Sequence, residues 1–97
     1  MLFRSSGLKL NVIPDYLPNT LEYLNISNNR IKEIGDISYL KNLKTLDCSN
    51  NKIYKIKQLP YIEEFFCRDN DLINLNFLYD NNKLKRLDCS KIGRAHV

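Results

Sequence analysis

Apolar and polar residues alternate in four short windows, and the four windows spell the same phrase. Leu21, Leu24, Ile26, Asn29 and Ile31 mark the first. Leu43, Leu46, Cys48, Asn51 and Ile53 mark the second, and Ile62, Phe65, Cys67, Asn70 and Leu72 the third. Leu84, Leu87 and Cys89 open a fourth, and successive windows start 22, 19 and 22 residues apart. The two-residue period inside each window predicts a strand with one buried face. Leu24 and Ile26 then point inward while Tyr23, Asn25 and Ser27 point outward, and the same holds for Leu46 with Cys48, Phe65 with Cys67, and Leu87 with Cys89. One such strand cannot bury its apolar face alone. Stacking the copies gives a parallel sheet over a continuous core, where each fully buried Leu or Ile contributes roughly 1.5–3 kcal/mol.

After each strand the chain must turn sharply, which strips backbone amides and carbonyls of strand partners. A short carboxamide pointing inward can satisfy them, so Asn29, Asn51 and Asn70 are expected to stack as a structural ladder. Asn51 is expected to be buried, and Asn50 to point outward and accept Ala at a cost within about 0.5 kcal/mol. The return arms carry apolar residues about every third position: Ile31, Ile34, Ile37 and Leu40, then Ile53, Ile56 and Leu59, then Leu72, Leu75 and Leu78. That period suits a 3₁₀ turn or short helix, or in the shorter second arm an extended connection. Tyr79-Asp80-Asn81-Asn82 reads as a turn. Leu10, Ile13 and Leu17 form a partial earlier arm whose ladder slot holds Leu8.

These residues resemble the leucine-rich repeat family, over about residues 8 to 91 and in register through four copies. The block from Leu21 to Leu43 is similar to the class of about 22 residues found in bacterial internalins. Leu46 to Ile53 is similar to repeats of low-GC bacteria and giant viruses. The resemblance implies an α/β solenoid: short parallel β-strands on the concave face, and 3₁₀, short-helix or extended return arms. It also implies a protein-binding module.

The two ends read differently. Ile92-Gly93-Arg94-Ala95-His96-Val97 holds the only Ala and the only His of the chain. ATC GGA AGA GCA CAC GTC encodes it, a string resembling a short-read sequencing adapter. GTG CTC TTC CGA TCT, the tail of the opposite adapter, encodes Met1-Leu2-Phe3-Arg4-Ser5 when GTG starts translation. Residues 1–5 and 92–97 are therefore expected to be adapter-derived and are set aside from fold reasoning. Residues 6–91 are expected to form a truncated array of about four repeats, with the edge at Leu84, Leu87 and Cys89 left open.

Composition narrows the function classes. The formal charge of +4 falls to near balance once Arg4 and Arg94 are set aside, and lysines interleave with acids, so no nucleic-acid partner is expected. No apolar run is long enough to span a membrane, and no membrane partner is expected. Cys48, Cys67 and Cys89 share one slot. A disulfide between neighbours is geometrically possible, but small buried thiols in reduced form are the expected state; unpaired cysteines weakly favour a cytoplasmic location. Metal-binding pairs are absent from the pattern, Asp69-Asn70-Asp71 lacks the rest of a calcium loop, and no Ser–His or Cys–His arrangement can be built. No enzyme activity, metal or cofactor is expected.

What remains is the outward face of the strands. Its columns read Tyr23, Thr45, Glu64, Arg86; then Asn25, Asp47, Phe66, Asp88; then Ser27, Ser49, Arg68, Ser90. Phe66 is the one large apolar side chain there, flanked by Glu64 and Arg68, and aromatic and Arg residues are enriched at binding hot spots. Tyr23, Asn25, Asp47, Glu64, Phe66, Arg68, Arg86 and Asp88 are the candidate partner-binding residues, and another protein is the expected partner. The same repeats also suit a structural spacer array in a larger protein. They suit equally the substrate-recognition arm of an effector enzyme whose catalytic domain is absent from this chain.

Overall fold

The structure is a computed structural model that describes residues 2–90. Ile92–Val97 and Lys91 lie outside the described residues, as does the ladder slot at Ile92. Each repeat contributes one inner strand: β1 (Leu2–Arg4), β2 (Tyr23–Asn25), β4 (Thr45–Asp47), β6 (Glu64–Phe66) and β7 (Arg86–Asp88). They pair in parallel in the order β1-β2-β4-β6-β7. The register places Leu24, Leu46, Phe65 and Leu87 side by side, as the repeat spacing predicts. The coil advances one strand per turn into a slab of 39 × 32 × 19 Å.

The return arms take the extended and 3₁₀ options, and no α-helix occurs among the described residues. The first two arms contain β3 (Glu33–Ile34) and β5 (Lys55–Ile56), which pair into a second small parallel sheet. Turns with N–H to C=O spacing of three follow, Leu40 to Ile37 and Leu43 to Leu40. Only the third arm winds into a 3₁₀ segment, Asn76–Leu78. Arms this short cannot complete the several turns an isolated helix needs.

The core lies between the two sheets. Leu21, Leu24, Ile26, Ile31, Ile34, Leu46, Cys48, Ile53, Phe65 and Cys67 are almost wholly shielded from water. Phe65, the aromatic in a leucine slot, meets the ring of buried Phe77 edge-on at 5.4 Å. The three-residue period pointed to Leu75 and Leu78 rather than Phe77, yet those two are only partly buried. At β7 burial falls off: Leu87 points inward but is 43% exposed, because β7 has β6 as its only described neighbour.

One finding differs from the sequence expectation, and a second concerns residues set aside from it. Cys67 and Cys89 are joined as a disulfide with Cα atoms 4.7 Å apart, and Cys48 alone is free. Adjacent parallel strands set their inward residues within disulfide reach. The argument for a cytoplasmic location from unpaired thiols therefore loses its ground. Second, Leu2–Arg4, within the segment set aside as adapter-derived, form β1 with Phe3 packed on the core. Leu8, in the ladder slot of that copy, is 64% exposed.

Candidate functional site

The ladder holds the concave face in shape. Asn29 Nδ2 donates to the carbonyls of Ser5, Ile26 and Ser27, and its Oδ1 accepts the Leu10 amide. Asn51 repeats this with Ile26, Cys48 and Ser49 as acceptors and the Ile31 amide as donor. Asn70 donates to Cys48, Cys67 and Arg68 and accepts from Ile53. Each carboxamide thus bonds its own turn and the preceding one. The residue before each ladder asparagine sits in the left-handed region: Asn28 at φ 57°, Asn50 at 58°, Asp69 at 55°, with Gly7 at 75° in the equivalent slot of the first turn. Gly, Asn and Asp are the residues that reach this conformation most readily. Asn50 is exposed, as its outward placement implies, but its backbone makes Ala a costlier replacement than exposure alone suggests.

A second local rule appears on the strand face. Asn25 Oδ1 accepts the Ser27 amide at 3.0 Å, Asp47 the Ser49 amide at 3.1 Å, and Asp88 the Ser90 amide at 3.2 Å. The signal lies in the sequence as a recurring Asn/Asp-x-Ser, and it is an Asx-type turn. Phe66 occupies the same column and has no such acceptor. The following turn is held instead by Ser49 of the neighbouring strand, whose Oγ accepts the Arg68 amide at 3.2 Å.

Around half-buried Phe66 the register sets Asp47 on one side and Asp88 on the other. Arg86 Nη1 lies 3.3 Å from Glu64 Oε2, and Arg68 Nε lies 3.8 Å from Asp88 Oδ2 while donating to Ser90 Oγ at 3.0 Å. Thr45 Oγ1 donates to Glu64 Oε1 at 2.8 Å. That bond first, and Arg86 second, hold the Glu64 carboxyl below the usual carboxylate range. Thr45 and Ser27, expected among the solvated outward columns, are instead buried. Their hydroxyls are engaged by Glu64 and Asn25 respectively. The structure thus brings Asp47, Glu64, Phe66, Arg68, Arg86 and Asp88 together across β4, β6 and β7. Tyr23 and Asn25 lie one strand further on β2. Tyr23 stacks under the Arg4 guanidinium at 5.4 Å, and Asn25 is taken up by Ser27.

One structural asparagine escaped the sequence reading. Asn81 donates to the Leu59 and Ile62 carbonyls at 2.8 and 2.9 Å, and accepts from the Lys83 and Leu84 amides. It was legible only as part of a turn, because it occupies an apolar slot of the other repeats. Among the described residues no group of acids, histidines or cysteines is arranged to hold a metal, and no helix is long and apolar enough to cross a membrane.

Residues 19–61 match the family model described as Leucine Rich repeats (2 copies). Among curated proteins, none matches the chain significantly.

Proposed function

We propose that this chain, whose residues 19–61 match the leucine-rich repeat family model, binds another protein through the concave face, since arrays of that family generally mediate protein–protein interaction and are typically non-catalytic. Phe66 is the anchor. The observation that carries this reading is the column it stands in. Asn25, Asp47 and Asp88 cap the turn that follows them from this position; Arg4 and Phe66 hold the same register position without an Asx cap, and of the five only Phe66 sets an apolar ring there. The Arg68 amide takes Ser49 Oγ as its acceptor instead, so the turn closes without a cap from position 66 and the ring is left facing outward. The polar ring around it fits the polar rim of a binding hot spot.

The charges indicate the partner's chemistry. Arg68 and Arg86 are paired with Asp88 and Glu64, whereas Asp47 has no cation partner among the described residues. The complementary segment carries an apolar side chain to meet Phe66 and a basic group to meet Asp47. Phe66→Asn tests this. It restores the capping group found at Asn25 without setting a third carboxylate between Asp47 and Asp88. Its stability should stay within about 1 kcal/mol of the parent, one turn bond offsetting half a buried ring. Peptides selected from a phage-displayed random library on the parent chain should bind Phe66→Asn at least about tenfold more weakly. Equal binding to both proteins, or no peptide that prefers the parent, overturns the proposal and leaves the spacer role.

A further inference from the structure

We propose that the Cys67–Cys89 disulfide is a redox-dependent staple for the Phe66 face, holding β7 against β6 when oxidised and releasing it on reduction by a dithiol. The functional meaning of this inference rests on the concave-face reading; its structural content does not. β7 supplies Arg86 and Asp88, two of the five charged residues around Phe66. Yet the inward residue of β7 is the most exposed of any inner strand described. Leu87 is 43% exposed, and Leu84 and Cys89 are only partly buried. The ion pairs tying it to β6 each join an exposed cation to a half-buried carboxylate, and pairs open to water on one side contribute little. What remains is a short ladder of backbone bonds, such as Cys67 N–H to the Asp88 carbonyl at 2.8 Å and Asp69 N–H to the Ser90 carbonyl at 3.1 Å, together with the covalent link. No other strand of this sheet is tied to its neighbour covalently among the described residues.

The chemistry is a two-electron exchange. A thiolate of the dithiol attacks Sγ of Cys89, the half-buried member of the pair, and Cys67 leaves as the thiol after taking a proton. The second thiol of the reductant then displaces Cys89, which also leaves protonated. Two electrons and two protons pass to the protein, and the reductant departs as its own disulfide. Cys48 neighbours Cys67 in the inward column but does not compete. It is wholly buried, and burial pushes its thiol well above the ordinary range, so no thiolate is available for internal exchange. Reduction therefore answers to an outside dithiol rather than to reshuffling within the array.

The test uses the full chain and needs no partner. Alkylation of the unfolded, unreduced protein should label one cysteine, mapped to Cys48, and all three after dithiothreitol. Amide exchange should then be compared before and after dithiothreitol at native pH. Exchange at Cys67 and Asp69, whose acceptors are Asp88 and Ser90, should speed up by at least about tenfold. Exchange at Cys48 and Asn50, whose acceptors are Phe66 and Arg68, should stay unchanged. Cys89→Ser should reproduce the reduced pattern, whereas Cys48→Ser should leave the oxidised one intact. Three reactive thiols in the air-oxidised protein, or equal exchange in both redox states, overturns the staple. Absence of any Phe66-dependent peptide binding in the oxidised protein, with the exchange difference intact, would overturn the concave-face reading alone.

Discussion

Asn51→Ala puts the ladder to a quantitative test. The side chain makes four bonds: Oδ1 accepts Ile31 N–H at 3.0 Å, and Nδ2 donates to Ile26 and Cys48 at 3.0 Å and to Ser49 at 3.3 Å. Truncation does not orphan all of these groups. The Ile26 carbonyl keeps the Asn29 carboxamide at 2.9 Å, and the Cys48 carbonyl keeps that of Asn70 at 2.9 Å. Ile31 N–H has a single hydrogen and loses its one acceptor, in a residue with no accessible surface. An orphaned buried amide costs about 1–3 kcal/mol, and two weakened carbonyls add up to about 1, so the expected loss is about 2–4 kcal/mol. That is a large share of the roughly 5–10 kcal/mol available to a domain of this size. The adjacent residue is the control. Asn50→Gly keeps the left-handed backbone and should stay within about 0.5 kcal/mol. Asn50→Ala, forced to φ 58°, should lose about 1–2 kcal/mol. Urea unfolding followed by far-ultraviolet circular dichroism gives the three values, and amide exchange at Ile31 locates the first. If Asn51→Ala and Asn50→Gly unfold at the same midpoint, the ladder does not work as argued, and the register that places Phe66 outward loses its support.

Two further outcomes follow from side-chain geometry. Glu64 should titrate below an ordinary glutamate, because the Thr45 hydroxyl and then Arg86 favour its charged form. A depressed folded-state pKa gives stability that is full above the unfolded value of about 4.3 and is lost as pH falls through the lower folded value. A carboxyl-carbon NMR titration reads it directly; a midpoint at or above the unfolded value would contradict the assignment, and Thr45→Val should raise the midpoint. Phe65→Leu restores the leucine of the other repeats but removes the edge-on contact with Phe77. It should cost about 1 kcal/mol in thermal or urea unfolding, and a variant as stable as the parent would mean that the ring fills no specific space.

The sequence alone determined the coil. A recurring inward pair and a fixed asparagine leave few ways to satisfy both apolar burial and turn amides, so strand positions, register and the ladder all followed from spacing. The Asx-x-Ser turn was equally present in the letters. Other features depended on which atoms the coiling brings together. Disulfide pairing among three equivalent cysteines is degenerate in sequence, and strand neighbours alone make Cys67–Cys89 available. The burial of Thr45 and Ser27 arises because adjacent turns crowd a concave surface, which a period-two pattern cannot register. Asn81 became a staple because the shorter second arm presents the Leu59 and Ile62 carbonyls to it. Phe77 displaced the expected leucines because a 3₁₀ segment turned it toward Phe65. Periodicity reports which face a residue takes; contacts between turns about 20 residues apart depend on the closed path of the backbone, and that exists only in the tertiary structure.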